Sequence, residues 1–400
     1  MNKIQASNPF FEIYSTPHGT VPFNLIKTEH YAPAIHEGIR RQNGEIDAII
    51  NNPDAPTFEN TIVPYEKSGE LLHRVNTVFG NLLSAETDDE LQELAREIMP
   101  LMSEHENNIS LNEKLFARIK TVYELADKAK LTPEQSKLLE DIYTGFVRNG
   151  ANLQGDAKEQ YRNLCKELSL LTLQFSENTL KETNDYRLVL TEKPQLSGLP
   201  ESAIDAAAET AQEKGVEGWV FTLHAPSYSP FMTYADNRDL RRELYMAYNT
   251  KCTHDNACNN LEIVKKIANI HMEIARLLGY DNFAEYNLKE RMAQNSDTVY
   301  KLLNQLLEAY TPTAQKEYDE VQALARSEEG ADFILMPWDW SYYSQKLKDR
   351  KFSINDEMLR PYFELSKVKE GVFGLASKLY GITFKTVSYT HLTLPTILLV

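Results

Sequence analysis

Apolar residues recur at three- to four-residue steps along most of this 400-residue chain, and that spacing commits it to helices. From Ile62, the residues Tyr65, Leu72, Val75, Phe79 and Leu82 fall on one helical face, with a single gap over Gly69. Thr87 with Glu90 reads as a capping box for a helix carrying Leu91, Leu94, Ile98 and Leu101, with Pro100 as its bend or end. Thr132-Pro133-Glu134-Gln135 is a fuller start signal, with a capping hydroxyl, Pro at the first helical position and a side chain that reaches back. A long helix is predicted from about Asp156, burying Tyr161, Leu164, Leu168, Leu171 and Phe175.

The pattern changes once. Tyr186–Thr191 and Trp219–Leu223 are short, β-rich and bounded by Pro or Gly, so they read as a small β element spanning about 186–223. Between them runs an Ala-rich helix, Glu201 to Lys214, closed by Gly215. Helical stripes then resume. One comprises Leu261, Val264, Ile267, Ile270, Ile274 and Leu277, stopped by Gly279. Asn282 and Glu285 open the next helix. Val299, Leu302, Leu306, Tyr310, Ala314, Tyr318 and Val321 form another long stripe, with a kink expected at Pro312. The fold class is therefore mostly α, as two lobes or one large helical body, and no linker marks a lobe boundary.

At 42% hydrophobic and 25% charged, the composition is that of an ordinary globular protein. The formal net charge of -16 argues against nucleic acid and anionic membrane surfaces as partners. The opening residues lack a signal-type apolar run, and no stretch reaches the roughly 20 apolar residues of a membrane span. Cys165, Cys252 and Cys258 are too few and too irregular for a disulfide framework. The expected location is the cytoplasm.

Few residues promise chemistry. His36-Glu37 and His105-Glu106 mimic the opening of the zinc-protease motif H-E-x-x-H. That motif needs a second His four residues after the first to place both imidazoles on one helix face, and here Arg40 and Ile109 occupy that position. Cys252, His254 and Cys258 lack a fourth ligand and the usual spacing of a structural metal site. His224 follows a predicted strand, where a lone His is more often structural. Phosphate-loop, dinucleotide and serine-hydrolase signatures are absent from the sequence. No catalytic and no metal-binding residue is assigned. The densest aromatic cluster, Pro337 to Tyr343, admits two readings: a buried helix start, or a wall of a peptide channel formed by Trp338, Trp340, Tyr342 and Tyr343.

Met336 to Tyr343, Tyr362-Phe363-Glu364-Leu365 and Gly371-Val372-Phe373 together resemble the thimet oligopeptidase family of zinc metallopeptidases. Asn8-Pro9-Phe10, Thr57 to Thr61, Ser227 to Met232 and Ala268 to Tyr286 resemble it in the same order, from about Asn8 to Lys385. The Trp-Asp-Trp form is nearer the bacterial peptidyl-dipeptidase branch than oligopeptidase A. The resemblance implies a mostly helical body with a deep channel, short unfolded peptides as substrates, and zinc as the cofactor of the complete parent. It also implies a zinc helix carrying H-E-x-x-H, a third Glu ligand on a later helix, a motif Glu acting as general base, and downstream Tyr and His that stabilise the oxyanion. None of these has a matching position here, so no zinc is expected on this chain.

Residues 1–385 accordingly read as the N-terminal helical part of a peptidyl-dipeptidase, inactive alone. The alternatives are a non-catalytic helical peptide-binding or scaffold protein, or the corresponding part of an oligopeptidase A-type endopeptidase. Thr386 to Val400 contain no Asp, Glu, Lys or Arg and depart from the family pattern, so 386–400 read as a non-native tail. Oligomeric state is not legible.

Overall fold

The computed structural model describes residues 8–385 except 17–18, 127–129 and 354–355. In chain order, α1 (Tyr31–Ile50), the single turn α2 (Val63–Glu66), α3 (Glu70–Ala85), α4 (Asp89–Ser110), α5 (Glu113–Leu125) and α6 (Pro133–Arg148) precede α7 (Asp156–Asp185). Strands β1 (Leu188–Leu190) and β2 (Trp219–Phe221) flank α8 (Glu201–Glu213). Then follow α9 (Ala225–Tyr234), α10 (Arg238–Asn249), α11 (Leu261–Leu277), α12 (Phe283–Leu288), α13 (Ser296–Glu329), α14 (Trp340–Phe352), the short α15 (Asp356–Leu359) and α16 (Leu365–Tyr380). The mostly α expectation holds, with one two-stranded sheet among the described residues. The tail expected over 386–400 lies outside them.

The chain separates into two compact units. Of the described residues, one holds those up to Phe175 with Ile263–Met292; the other holds Ser176–Glu262 with 293–385. In the first unit, α1, α3 and α4 bury Ile35, Leu72, Val75, Ala95 and Ile98. Phe10, Tyr31 and Phe79 form a chain of tilted rings with successive centroids 5.2 Å apart. Burying a ring of this size contributes about 1.5–3 kcal/mol. Two hydrogen bonds anchor the start of the described chain there. Buried Asn8 donates to the His30 carbonyl at 2.8 Å, and Arg74 donates to the Phe10 carbonyl at 2.6 Å. A second cluster joins Ile46 and Ile49 of α1 to Leu115 and Ile119 of α5 and Leu139 and Phe146 of α6. A third joins Tyr161, Leu164 and Leu171 of α7 to Ile263, Ile270 and Ile274 of α11.

In the second unit, β1 and β2 pair antiparallel with Val189 opposite Val220. Leu188 and Leu190 turn inward while Val189 is exposed, as period-two alternation requires. They pack with Phe221, Phe231 and Leu244. A smaller cluster of Val321, Ala325, Leu335, Tyr342 and Tyr343 ties the end of α13 to α14.

Several local expectations are met. Thr132 and Gln135 exchange capping hydrogen bonds at 3.0 and 3.2 Å. The long helix begins at Asp156, and the Ala-rich helix ends next to Gly215. Others are corrected. The stripe beginning at Ile62 is not one helix: the chain passes through a π-helical turn, Phe58–Ile62, then α2, and breaks at Gly69 before α3. Gly69 has φ 76, and its N–H donates to Glu45 at 2.7 Å. That left-handed conformation disfavours a side chain, which is why the break falls there. The α4 cap is Asp88, not Thr87; its carboxylate accepts from Leu91 N–H at 2.8 Å. Pro100 does not end α4, which continues to Ser110, and Pro312 lies inside α13 as expected. In a helix this long, one lost backbone bond is outweighed by the flanking turns.

The stripe on α13 departs most from expectation. Val321 is buried, but Leu302, Leu306, Tyr310 and Tyr318 are exposed. On α11, Ile270 and Ile274 are buried while Leu261 and Val264 are exposed.

Candidate functional site

The aromatic segment singled out in the sequence is organised around a charge. A 3-10 turn, Pro337–Asp339, feeds directly into α14 and carries Asp339 fully inside the second unit. Arg241 of α10 donates from Nη2 to Asp339 Oδ1 at 2.9 Å. Arg238, one turn earlier, donates from Nη2 to Oδ2 at 2.6 Å and from Nε to both oxygens at 3.1 Å. The Met336 N–H adds a fifth hydrogen bond at 3.0 Å. Arg241 is itself only 1% exposed and spends its other protons on the carbonyls of Ala235, Asp236 and Trp338. A buried ion pair is tolerated when its polar atoms find partners, and here both Asp339 oxygens and all three Arg241 nitrogens have them.

The rings pack around this pair. The Arg241 guanidinium lies 4.1 Å from the Tyr342 ring centroid. The Tyr342 hydroxyl donates to Asp236 Oδ1 at 2.8 Å, and the Tyr343 hydroxyl donates to Glu329 at 2.9 Å. Burial alone would raise the Asp236 carboxyl; hydrogen bonds from Ser197 and Tyr342, with Lys346 and Arg241 nearby, outweigh it and lower its pKa. Tyr342 and Tyr343 are both raised, first by burial. Of the four ring residues named from sequence, Tyr342 and Tyr343 are buried and Trp338 is half-buried against the sheet cluster. Trp340 alone is exposed, at 41%, parallel to Tyr318 at 6.3 Å. Arg238 and Arg241 carry no sequence signal of their own, apart from Arg241 sharing the inward face of α10 with Leu244.

The first unit contains a concave polar site of about 1090 Å³, lined by residues of α1, α3, α4 and α7. His105 is buried, with Nε2 2.7 Å from Gln42 Oε1, and burial lowers its pKa. Glu106 beside it is raised by desolvation. Cys165 is raised, foremost by burial, although hydrogen bonds with Tyr161 and Asn107 oppose that. The thiol therefore keeps its proton at neutral pH, and a protonated thiol is a weak nucleophile. The arrangement can hold polar groups but offers no activated nucleophile.

The motif-like segments lie apart. His36 is exposed on α1, and Glu37 is clamped by Arg40 at 2.7 and 2.8 Å and by Arg41 at 2.8 Å. These hydrogen bonds, Arg40 first, hold its carboxyl at about 2. Cys252 is buried, its N–H donates to Glu182, and burial pushes its thiol up to about 11. His254 Nε2 lies 3.6 Å from Glu182 Oε1. Both ring nitrogens of His224 have partners at 3.1 Å, Thr222 and Asn184. All three cysteines are free. Among the described residues, no three His, Cys, Asp or Glu side chains are grouped to hold a metal ion, so the residues present do not fit a zinc centre.

Residues 231–391 match Peptidase family M3, a span that contains the whole Arg238–Arg241–Asp339 node and reaches six residues into the charge-free terminal stretch. The similarity extends beyond that span. The chain is 34% identical over 379 residues to dipeptidyl carboxypeptidase of Escherichia coli (strain K12), covering 94% of this chain and 56% of that protein. The chain is thus similar to the family M3 peptidases over nearly its whole length. It is also 33% identical to oligopeptidase A of Salmonella typhimurium, over 95% of this chain and 56% of that protein. Identity to saccharolysin of Saccharomyces cerevisiae is 25%, over 86% and 50%. The chain thus spans little more than half the length of the curated relatives it matches. Both bacterial branch names match at nearly equal identity. Among the described residues, no helix is long and apolar enough to cross a membrane.

Proposed function

We propose that this chain is the wall-forming helical part of a zinc peptidase, of peptidyl-dipeptidase type, that releases C-terminal dipeptides from short unfolded peptides in the cytoplasm. The carrying observation is the pairing of two facts: 34% identity to a dipeptidyl carboxypeptidase across 94% of this chain, and coverage of only 56% of that enzyme. In this reading the zinc and its H-E-x-x-H helix belong to the part of the enzyme outside the match. Zinc there would lower the pKa of a bound water and polarise the scissile carbonyl. The residues of this chain position and exclude. The Arg238–Arg241–Asp339 node fixes the start of α14 and so holds Trp340, whose exposed ring supplies a face on which a peptide can pack. Such contacts bind ground and transition states alike and do not by themselves accelerate hydrolysis.

The test is the coding sequence around this chain. The proposal expects an H-E-x-x-H segment, in the same or another frame, within the next few hundred codons. A stop with no such segment in any frame would favour the non-catalytic scaffold reading.

A further inference from the structure

Two helices of the second unit carry apolar faces that nothing in the described chain covers. On α16, Val368, Val372, Leu375 and Leu379 recur at steps of four, three and four, which places them on one face. Leu375 is 60% and Leu379 64% exposed, and no residue of this helix is buried. Ser366, Lys367, Lys369, Glu370 and Lys378 lie off that face. On α13, Tyr300, Leu303, Leu307 and Tyr310 repeat the pattern, all more than half exposed, and burial of this helix begins only at Val321.

Solvent does not maintain such faces. Contiguous exposed apolar surface beyond a few hundred Å² marks an interaction site. A 16-residue helix with no buried residue is also marginal in water, because most helical stability in proteins comes from tertiary packing of an apolar face. The amphipathic pattern of α16 is therefore that of a helix built to be covered.

We infer that these faces of α13 and α16 are the docking surface for the remaining part of an M3 peptidase, the part that the match to the bacterial relatives leaves out. Both helices lie inside the family-matched span, so their apolar faces sit in family sequence. A little under half of the E. coli dipeptidyl carboxypeptidase lies outside the match, which is enough polypeptide to cover two helices. The inference rests on the peptidase reading above, and it names where on this chain the catalytic part sits.

The experiment co-expresses the full chain, tagged, with the polypeptide of E. coli dipeptidyl carboxypeptidase outside the match. Light scattering after size exclusion reads the stoichiometry. The expected result is a 1:1 complex. Hydrogen exchange at 299–310 and 365–380 should slow in the complex relative to the chain alone. Two charged variants, Leu303→Asp with Leu307→Asp and Val372→Asp with Leu375→Asp, should each weaken association at least tenfold. Their far-UV spectra and melting alone should match the parent, because these side chains are already exposed. No complex, equal association by both variants, or a homodimer that the same variants disrupt would each overturn the docking surface. Chelator-sensitive peptide hydrolysis is read in parallel. A complex that forms through these faces but lacks hydrolysis leaves the surface standing and sinks the peptidase reading instead.

Discussion

Arg241 and Asp339 meet at 2.9 Å with both side chains at or below 1% exposure, although 98 residues separate them in the chain. Removing one charge from a satisfied buried pair leaves the other desolvated and uncompensated. Asp339→Asn should therefore destabilise the second unit by about 3–5 kcal/mol. All three tryptophans, Trp219, Trp338 and Trp340, lie in that unit, so tryptophan fluorescence during urea unfolding reports on it directly. A loss below about 1 kcal/mol would mean the pair is not insulated as described.

Gly38 tests packing in the first unit. A Cβ there would lie 2.9 Å from the Leu72 Cα, a backbone atom that cannot rotate away. Gly38→Ala should force α1 and α3 apart and cost about 1–3 kcal/mol, despite the better helix propensity of Ala. Far-UV circular dichroism during unfolding checks this. A stabilised variant would contradict the close helix contact.

His105 sets a pH dependence. Burial lowers its pKa below the ordinary 6.5, so the unfolded chain binds a proton at a pH where the folded chain does not. Its contribution is fully present above 6.5 and declines as pH falls toward the folded value. Glu106 runs the other way: its raised carboxyl favours the fold below the ordinary 4.5, and that contribution is lost as pH rises through the raised value. His105→Gln should flatten the decline in stability just below pH 6.5 and leave the Glu106 effect in place. Urea midpoints for parent and variant from pH 7.5 to 5 read the difference; identical slopes would contradict it.

How far these features can be read in the sequence depends on their range. The Thr132–Gln135 capping box is legible because donor and acceptor lie three residues apart. The break at Gly69 is not, because the deciding partner, Glu45, is 24 residues away. The Arg241–Asp339 pair is invisible for the same reason. Trp338, Trp340, Tyr342 and Tyr343 attract notice by composition, yet Tyr342 and Tyr343 are held inward by Arg241, Asp236 and Glu329, and Trp340 stays exposed. Periodicity finds the apolar face of α13 but cannot say whether anything covers it, and for Tyr300 to Tyr310 nothing in the described chain does.

Metal content follows from the ligand chemistry. Glu37 is held by two arginines, His105 faces Gln42, and Cys252 holds its proton up to about 11. The purified chain should contain well under one zinc per molecule after dialysis, measured by elemental analysis. About one tightly held zinc per chain would show a ligand set that these contacts do not provide.

Amide hydrolysis needs an activated water and an oxyanion stabiliser, and the account places neither on this chain. The most direct measurement is turnover of a fluorogenic peptide by the purified chain with added zinc, with and without a chelator. The account predicts no turnover above the uncatalysed background in either condition. Chelator-sensitive turnover by this chain, free of host peptidases, would contradict it.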